Sequence, residues 1–479
     1  MIDILRALDD KRLFASALRD KATWTAWRAF LAAMFGLPLS DAEADLFRAC
    51  TGRAALPDGA FSEAWLICGR RAGKSFVLAL IAVYLACFRG YVEYLGPGER
   101  ATIMVIAADR RQARVIMRYV KGLLAIPALA NLIEAETADS VDLANRVTIE
   151  VGTASHKTIR GYTLAAALCD ELAFWPQEDS ATPDVEILAA LRPAMATIPN
   201  AMLLCASSPY ARRGALWEAF RRYFGSNDPG VLVWKAATRT MNATVPQRVI
   251  DEAMERDPAS AAAEYGAEFR TDVEGFVSRE VVEACVDDGV FERAPLASIR
   301  YHGFVDPSGG SSDSFTMAIA HAEGDTIVLD CVREVKPPFS PEATAAALAT
   351  TLKAYGVTTV CGDRYAGEWP REQFRKHGVD YEPSEKPRSD LYLELLPALN
   401  SRRVSLLDHQ RLIVQLVGLE RRTSRSGKDS IDHGPGAHDD VANAVAGVLV
   451  LTANAPGLFV VTEELMAWAR QPRRYARRY

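Results

Sequence analysis

Lys74 and Ser75 close the run Cys68-Gly69-Arg70-Arg71-Ala72-Gly73-Lys74-Ser75, where two glycines, a lysine and a hydroxyl stand at the spacing of a phosphate-gripping loop. An apolar run ends at Cys68 and another begins at Phe76, so the loop is expected between a strand and a helix. Amides at that helix start, from Gly69 through Ala72 and Gly73, would point at an anion; Lys74 would neutralise it and Ser75 could ligate magnesium. The pattern departs from the full motif at Cys68, where a glycine is the norm. A second apolar run, Leu164 to Cys169, ends in Asp170-Glu171. An acid at such a strand end can hold magnesium and its neighbour can deprotonate an attacking water, so Asp170 is assigned to the metal and Glu171 to the base. Arg70 and Arg71 could bridge phosphate oxygens, and Arg160 is a candidate finger reaching a neighbouring subunit's nucleotide; each reads equally well as a surface ion pair. Ser207 and Ser208, before Pro209, end another apolar run with hydroxyls placed to sense a γ-phosphate.

A second chemistry is written downstream in carboxylates. Asp306 ends the run from Tyr301, Asp313 follows a Gly/Ser-rich turn, Asp363 ends the run from Thr358, and His438-Asp439-Asp440 opens an apolar stretch reaching Leu451. Acids gathered from two strand ends and a helix start could bind two divalent ions, Mg2+ or Mn2+, that activate water for phosphodiester cleavage. Asp alone is commonly a cap or turn residue, so the order of the set carries the reading. Between these acids lie Arg402, Arg403, Arg411, Arg421, Arg422, Arg425 and Lys428, readable as a strip for a phosphate backbone or as a solvated charged hairpin.

These residues need sheets to position them. Residues 1–60 show Leu, Phe and Trp at helical spacing, and 61–240 alternate short apolar runs with helical stretches, the pattern of a parallel sheet flanked by helices. Residues 241–295 read as a helical linker, 296–455 as a mixed α/β domain with hairpin-like strands, and 456–479 as a basic tail. A chain of 479 residues exceeds one core, and a net charge of -6 confines any nucleic-acid contact to local basic patches. Eight scattered cysteines without a C-x-x-C pair favour neither disulfides nor zinc. The start lacks a basic, then apolar, leader, and the run Phe76 to Phe88 is too short for a bilayer, so a soluble cytoplasmic protein without a membrane partner is expected.

In this order, Gly69 to Ser75, Arg160-Gly161, Asp170-Glu171, Ser207-Ser208-Pro209, Asp306, Asp363 and His438-Asp439-Asp440 resemble the large terminase subunit of tailed bacteriophages and related prophage or gene-transfer elements. The resemblance implies an N-terminal P-loop ATPase and a C-terminal RNase H-like nuclease, with ATP and Mg2+ as cofactors and Mn2+ an alternative at the nuclease. It also implies double-stranded DNA, a small terminase subunit and a portal protein as partners, and a homo-oligomeric ring at the procapsid portal vertex in the bacterial host cytoplasm. Arg70 would act on its own nucleotide and Arg160 in trans. Asn443 stands where many relatives carry another Asp, which leaves Asp439 and Asp440 both open as metal ligands. Two other readings fit the motifs: a P-loop helicase or repair-type ATPase with a non-catalytic C-terminal domain, and a non-enzymatic nucleotide-gated DNA-binding adaptor.

Overall fold

Apolar runs alternating with helices build an eight-stranded sheet: β1 (Glu63–Cys68), β2 (Ala101–Ala107), β3 (Ile133–Glu136), β4 (Ser140–Leu143), β5 (Val147–Thr153), β6 (Thr163–Asp170), β7 (Met202–Ser207) and β8 (Val231–Ala236). The computed structural model describes residues 2–18, 20–154, 161–175, 180, 182–311, 313–363, 368–423 and 429–455. The sheet lies in the first of two units, which comprises residues up to Arg279 together with 410–439.

Strand order is β3-β4-β5-β2-β6-β7-β1-β8, parallel from β5 to β8, with β3 and β4 an antiparallel edge. Both faces of a parallel sheet must be covered, and the side chains of β1 divide accordingly. Ala64, Leu66 and Cys68 join a core with the helices Thr25–Met34, Lys74–Phe88 and Arg110–Leu124. Trp65 and Ile67 face a second core with the helices Pro183–Met195 and Gly214–Tyr223. β7, which follows β6 in sequence, is inserted between β6 and β1, so the strand ends carrying Asp170, Ser207 and the glycine loop are neighbours. A separate antiparallel sheet joins Val273–Gly275, Leu419–Thr423 and Asp429–His433 in this same unit. Its anchor is Glu420, fully buried, which accepts from Tyr210 Oη at 2.6 Å and pairs with Arg213 and Arg422.

The second unit comprises residues 280–409 and the segment from Asp440. Its strands run in the order Val286–Asp287, Val404–Leu407, Thr326–Val335, Phe315–Glu323, Tyr301–Asp306, Thr359–Gly362 and Asp380–Pro383. Phe315–Glu323 is antiparallel to both its neighbours, whereas Tyr301–Asp306, Thr359–Gly362 and Asp380–Pro383 are mutually parallel. The helix Pro341–Ala354 buries Ala345, Leu348, Ala349 and Leu352 against one face. The helix Asp440–Asn454 approaches the Tyr301–Asp306 strand at Gly447, where a Cβ would fall 2.5 Å from the Phe304 ring. Both units are mixed α/β, as the sequence pattern predicts.

Candidate nucleotide and metal sites

The loop between β1 and the helix Lys74–Phe88 is held from outside the motif. Trp27 Nε1 donates to Ala72 O at 3.1 Å, Thr238 Oγ1 to Arg70 O at 2.8 Å, and Asn242 Nδ2 to Arg71 O at 2.9 Å. Gly73 has φ +103°, a left-handed conformation that favours glycine, while a Cβ at Gly69 would collide with Thr238 Oγ1 and the Tyr265 carbonyl. Cys68, in the place of the usual glycine, is a buried strand end whose thiol is pushed up by burial, so it acts as a small apolar residue.

Lys74 is buried, 4% exposed, and its Nζ reaches Cys68 O at 3.1 Å, Gly69 O at 3.3 Å, Ser208 Oγ at 3.0 Å and Glu171 Oε1 at 3.1 Å. Glu171 sits at φ +50°, an unusual conformation for a side-chain-bearing residue, and its Oε2 accepts from Ser208 N at 3.1 Å and Ser207 Oγ at 3.4 Å. Ser208 thus touches both the lysine and the expected base. Asp170 is fully buried; its Oδ2 accepts from Ser75 Oγ and from Gln112 Nε2, each at 2.8 Å. Gln112 Nε2 also lies 2.8 Å from Ser75 Oγ. Burial, then the neighbouring Glu171 carboxylate, pushes the Asp170 carboxyl up to about 6, against the pull of Gln112, Lys74 and Ser75. Asp170 Oδ1 is buried and has no hydrogen-bond partner among the described residues. An orphaned carboxylate oxygen beside a hydroxyl is a donor set that fits a hard divalent cation.

Arg70 pairs at the surface with Glu264 at 2.9 Å, and Arg71 adopts φ +64° in the loop. Arg160 lies outside the described residues. Gln112 escaped the sequence reading: it stands in the first turn of the helix Arg110–Leu124, which follows β2, a neighbour of β6. That placement after a strand end beside Asp170's strand is the signal that could have found it.

In the second unit Asp306 ends its strand and Asp363 follows the parallel neighbour Thr359–Gly362. Asn443, fully buried in the helix Asp440–Asn454, donates from one Nδ2 to Asp306 Oδ2 and Asp363 Oδ2, each at 2.8 Å. Asp440 lies three residues earlier on the same helix face. Its Oδ2 accepts from Ser314 N at 3.2 Å and its carbonyl from Thr316 Oγ1 at 2.7 Å, Thr316 being the cross-strand partner of Asp306. A carboxylate oxygen of Asp313 approaches one of Asp440 within 4.8 Å. The structure therefore brings Asp306, Asp363 and Asp440 to one sheet end, with Asp313 exposed at the rim. Asp439 is buried at the end of the segment that groups with the first unit. Carboxylates gathered around one buried amide are chemically suited to magnesium or manganese.

Of the arginine strip, Arg421 and Arg422 lie on the strand Leu419–Thr423 and are paired there, whereas Arg402, Arg403 and Arg411 stand outside it. Arg422 meets Glu420 at 3.2 Å and Asp432 at 3.8 Å, and Arg421 meets Asp429 at 3.7 Å. Arg425 and Lys428 lie outside the described residues.

Residues 66–182 match the family described as terminase large subunit, T4likevirus-type, N-terminal. No curated protein matches the sequence. Among solved structures, the large terminase of bacteriophage HK97 is 16% identical, with 89% of this chain and 99% of that chain covered and a TM-score of 0.39. The large terminase of a thermophilic bacteriophage is 11% identical, covering 89% of this chain and 97% of that chain, with a TM-score of 0.36. The large terminase nuclease of the thermophilic phage G20c is 16% identical over 35% of this chain and 94% of that chain, with a TM-score of 0.31.

Proposed function

We propose that this chain, whose residues 66–182 match the terminase large-subunit family, is an ATP-driven motor that moves double-stranded DNA into a procapsid and an endonuclease that cuts that DNA. The supporting observation is a pair of oxygen-rich clusters with different chemistry. One joins Lys74, Ser75, Asp170, Glu171 and Ser208; the other joins Asp306 and Asp363 at Asn443, with Asp440 one turn earlier on the same helix and bonded to Ser314 N.

When bound, divalent ions supply phosphate neutralisation at the first cluster, and at the second an activated water with stabilisation of the leaving oxygen. Ser75 and Asp170 would hold the ion at the first, Asp306, Asp363 and Asp440 at the second, with Asp313 and Asp439 as further candidates. Lys74 exchanges Glu171 for a phosphate oxygen when ATP enters, because a phosphate carries more charge than one carboxylate. Glu171, still held by Ser208 N, is then released from its cation and able to take a proton from the attacking water. Ser208 contacts both side chains, so nucleotide turnover re-sorts hydrogen bonds at the end of β7. That segment continues through Tyr210 and Arg213 to the buried Glu420, a route by which hydrolysis could move the paired strands Leu419–Thr423 and Asp429–His433.

Arg70 is assigned to the chain's own nucleotide and Arg160 to a neighbour's, in a ring docked on a portal protein at the procapsid vertex and loaded by a small terminase subunit in the host cytoplasm. The test is phosphate release from ATP with and without DNA, together with plasmid digestion in Mg2+ or Mn2+. Release and cleavage are both expected. The neutral Asn443 standing between Asp306 and Asp363 is the observation that favours a helicase- or repair-type ATPase with a silent second unit. Intact plasmid at high protein concentration would select that reading, and absence of phosphate release would select the nucleotide-gated adaptor.

A further inference from the structure

Asn443 is fully buried with an uneven set of partners: its Nδ2 serves Asp306 and Asp363 at 2.8 Å each, and its Oδ1 is buried without a partner among the described residues. An unsatisfied buried acceptor is costly, yet turning the amide over would press that oxygen against two carboxylates. In the ion-free protein the two N–H groups therefore do a cation's work, offsetting repulsion between the acids. A divalent ion held by Asp306 and Asp363 would reverse the preference. The N–H groups become redundant, and an amide oxygen is an ordinary ligand for a hard cation. The exchange needs only rotation about the terminal sp3–sp2 torsion, which is broad and nearly two-fold.

We propose that Asn443 is a two-state member of the second-unit cation site, bridging Asp306 and Asp363 through its amide nitrogen without the ion and ligating the ion through its amide oxygen. The proposal rests on the reading of those acids as a cation site. It assigns the orphaned Oδ1 a partner and makes a neutral side chain an ion ligand. It also sets a consequence for affinity: entry of the ion must displace two charge-assisted hydrogen bonds.

The test is calorimetric titration of the full-length protein with MnCl2 and no nucleotide, every preparation carrying Asp170→Asn to silence the first-unit site. Asn443→Ala decides the sign. Loss of an oxygen ligand weakens Mn2+ binding by about tenfold or more, as loss of a metal-orienting group does. Binding that is unchanged or tighter would mean that the amide merely obstructs the site, which overturns the proposal. Asn443→Asp, nearly isosteric, keeps the oxygen and adds charge, so binding tightens by about tenfold while the melting temperature in EDTA falls. An Asp variant with unaltered affinity overturns the proposal even if the Ala variant does not fold. Asp306→Ala separates the layers: if it leaves Mn2+ binding intact, the cation-site reading fails and the proposal with it. If it abolishes binding while Asn443→Ala changes nothing, only the role of Asn443 fails.

Discussion

Asp170→Asn should make the ion-free protein more stable while stopping its nucleotide chemistry, and the gain should depend on pH in a calculable way. Asp170 is fully buried, and burial with the adjacent Glu171 raises its carboxyl from 3.8 to about 6. A folded-state value above the unfolded one means that the folded chain holds the proton longer. The destabilisation is therefore absent below pH 4, grows between pH 4 and 6, and is complete above that, where it amounts to about 3 kcal/mol. Asn removes this ionisation but places N–H donors where the carboxylate only accepted, a penalty of about 1–3 kcal/mol that does not vary with pH. The absolute gain at pH 8 is thus small or moderate, whereas the change between pH 5 and 8 is on the order of 1 kcal/mol and free of that offset. Urea unfolding of both proteins in EDTA, followed by tryptophan fluorescence at the two pH values, measures it. A wild-type-minus-variant difference that is flat from pH 5 to 8 would refute the assignment of a buried, destabilising carboxylate to Asp170.

Three further perturbations follow from single contacts. Gln112→Ala removes the amide that binds both Ser75 and Asp170, so the Mg2+ concentration for half-maximal ATP hydrolysis should rise by about tenfold; an unchanged Mg2+ dependence would make the contact incidental. Gly447→Ala drives a methyl into the Phe304 ring, two residues from Asp306, and should cost about 1–3 kcal/mol in thermal unfolding together with weaker Mn2+ binding. Glu420→Ala strips Tyr210, Arg213 and Arg422 of their shared acceptor. Both arginines are about one-third exposed and regain water, so a loss of about 2 kcal/mol is expected by urea denaturation, below the full value for a buried ion pair, and Glu420→Gln should recover part of it.

What could be read from the sequence was what is contiguous in it. The glycine loop, the strand ending in Asp170-Glu171 and the strand ends at Asp306 and Asp363 each show a local change from apolar run to polar group, and the structure keeps that order. The edge strand Ile133–Glu136 was not legible, because only Ile133 is even half-buried and no apolar run marks it. Gln112 was missed because its partners lie 37 and 58 residues away and nothing beside it hints at phosphate or metal. Asn443 was visible only as a departure from an acid; that it bridges two carboxylates needs the helix to be laid across the strand ends. The arginines near 421 suggested a track for a phosphate backbone, but Glu420 on their own strand and Asp429 and Asp432 on the paired strand neutralise them, and such pairing cannot be counted from composition.

Two chemically independent sites on one polypeptide should be separable by reciprocal loss of activity. ATP hydrolysis and plasmid cleavage are measured on the same folded preparations of Lys74→Ala and Asp306→Asn. Lys74→Ala is expected to abolish phosphate release and leave ATP-independent cleavage in Mn2+, and Asp306→Asn to do the reverse. Loss of both activities in each variant, with folding intact, would contradict this separation.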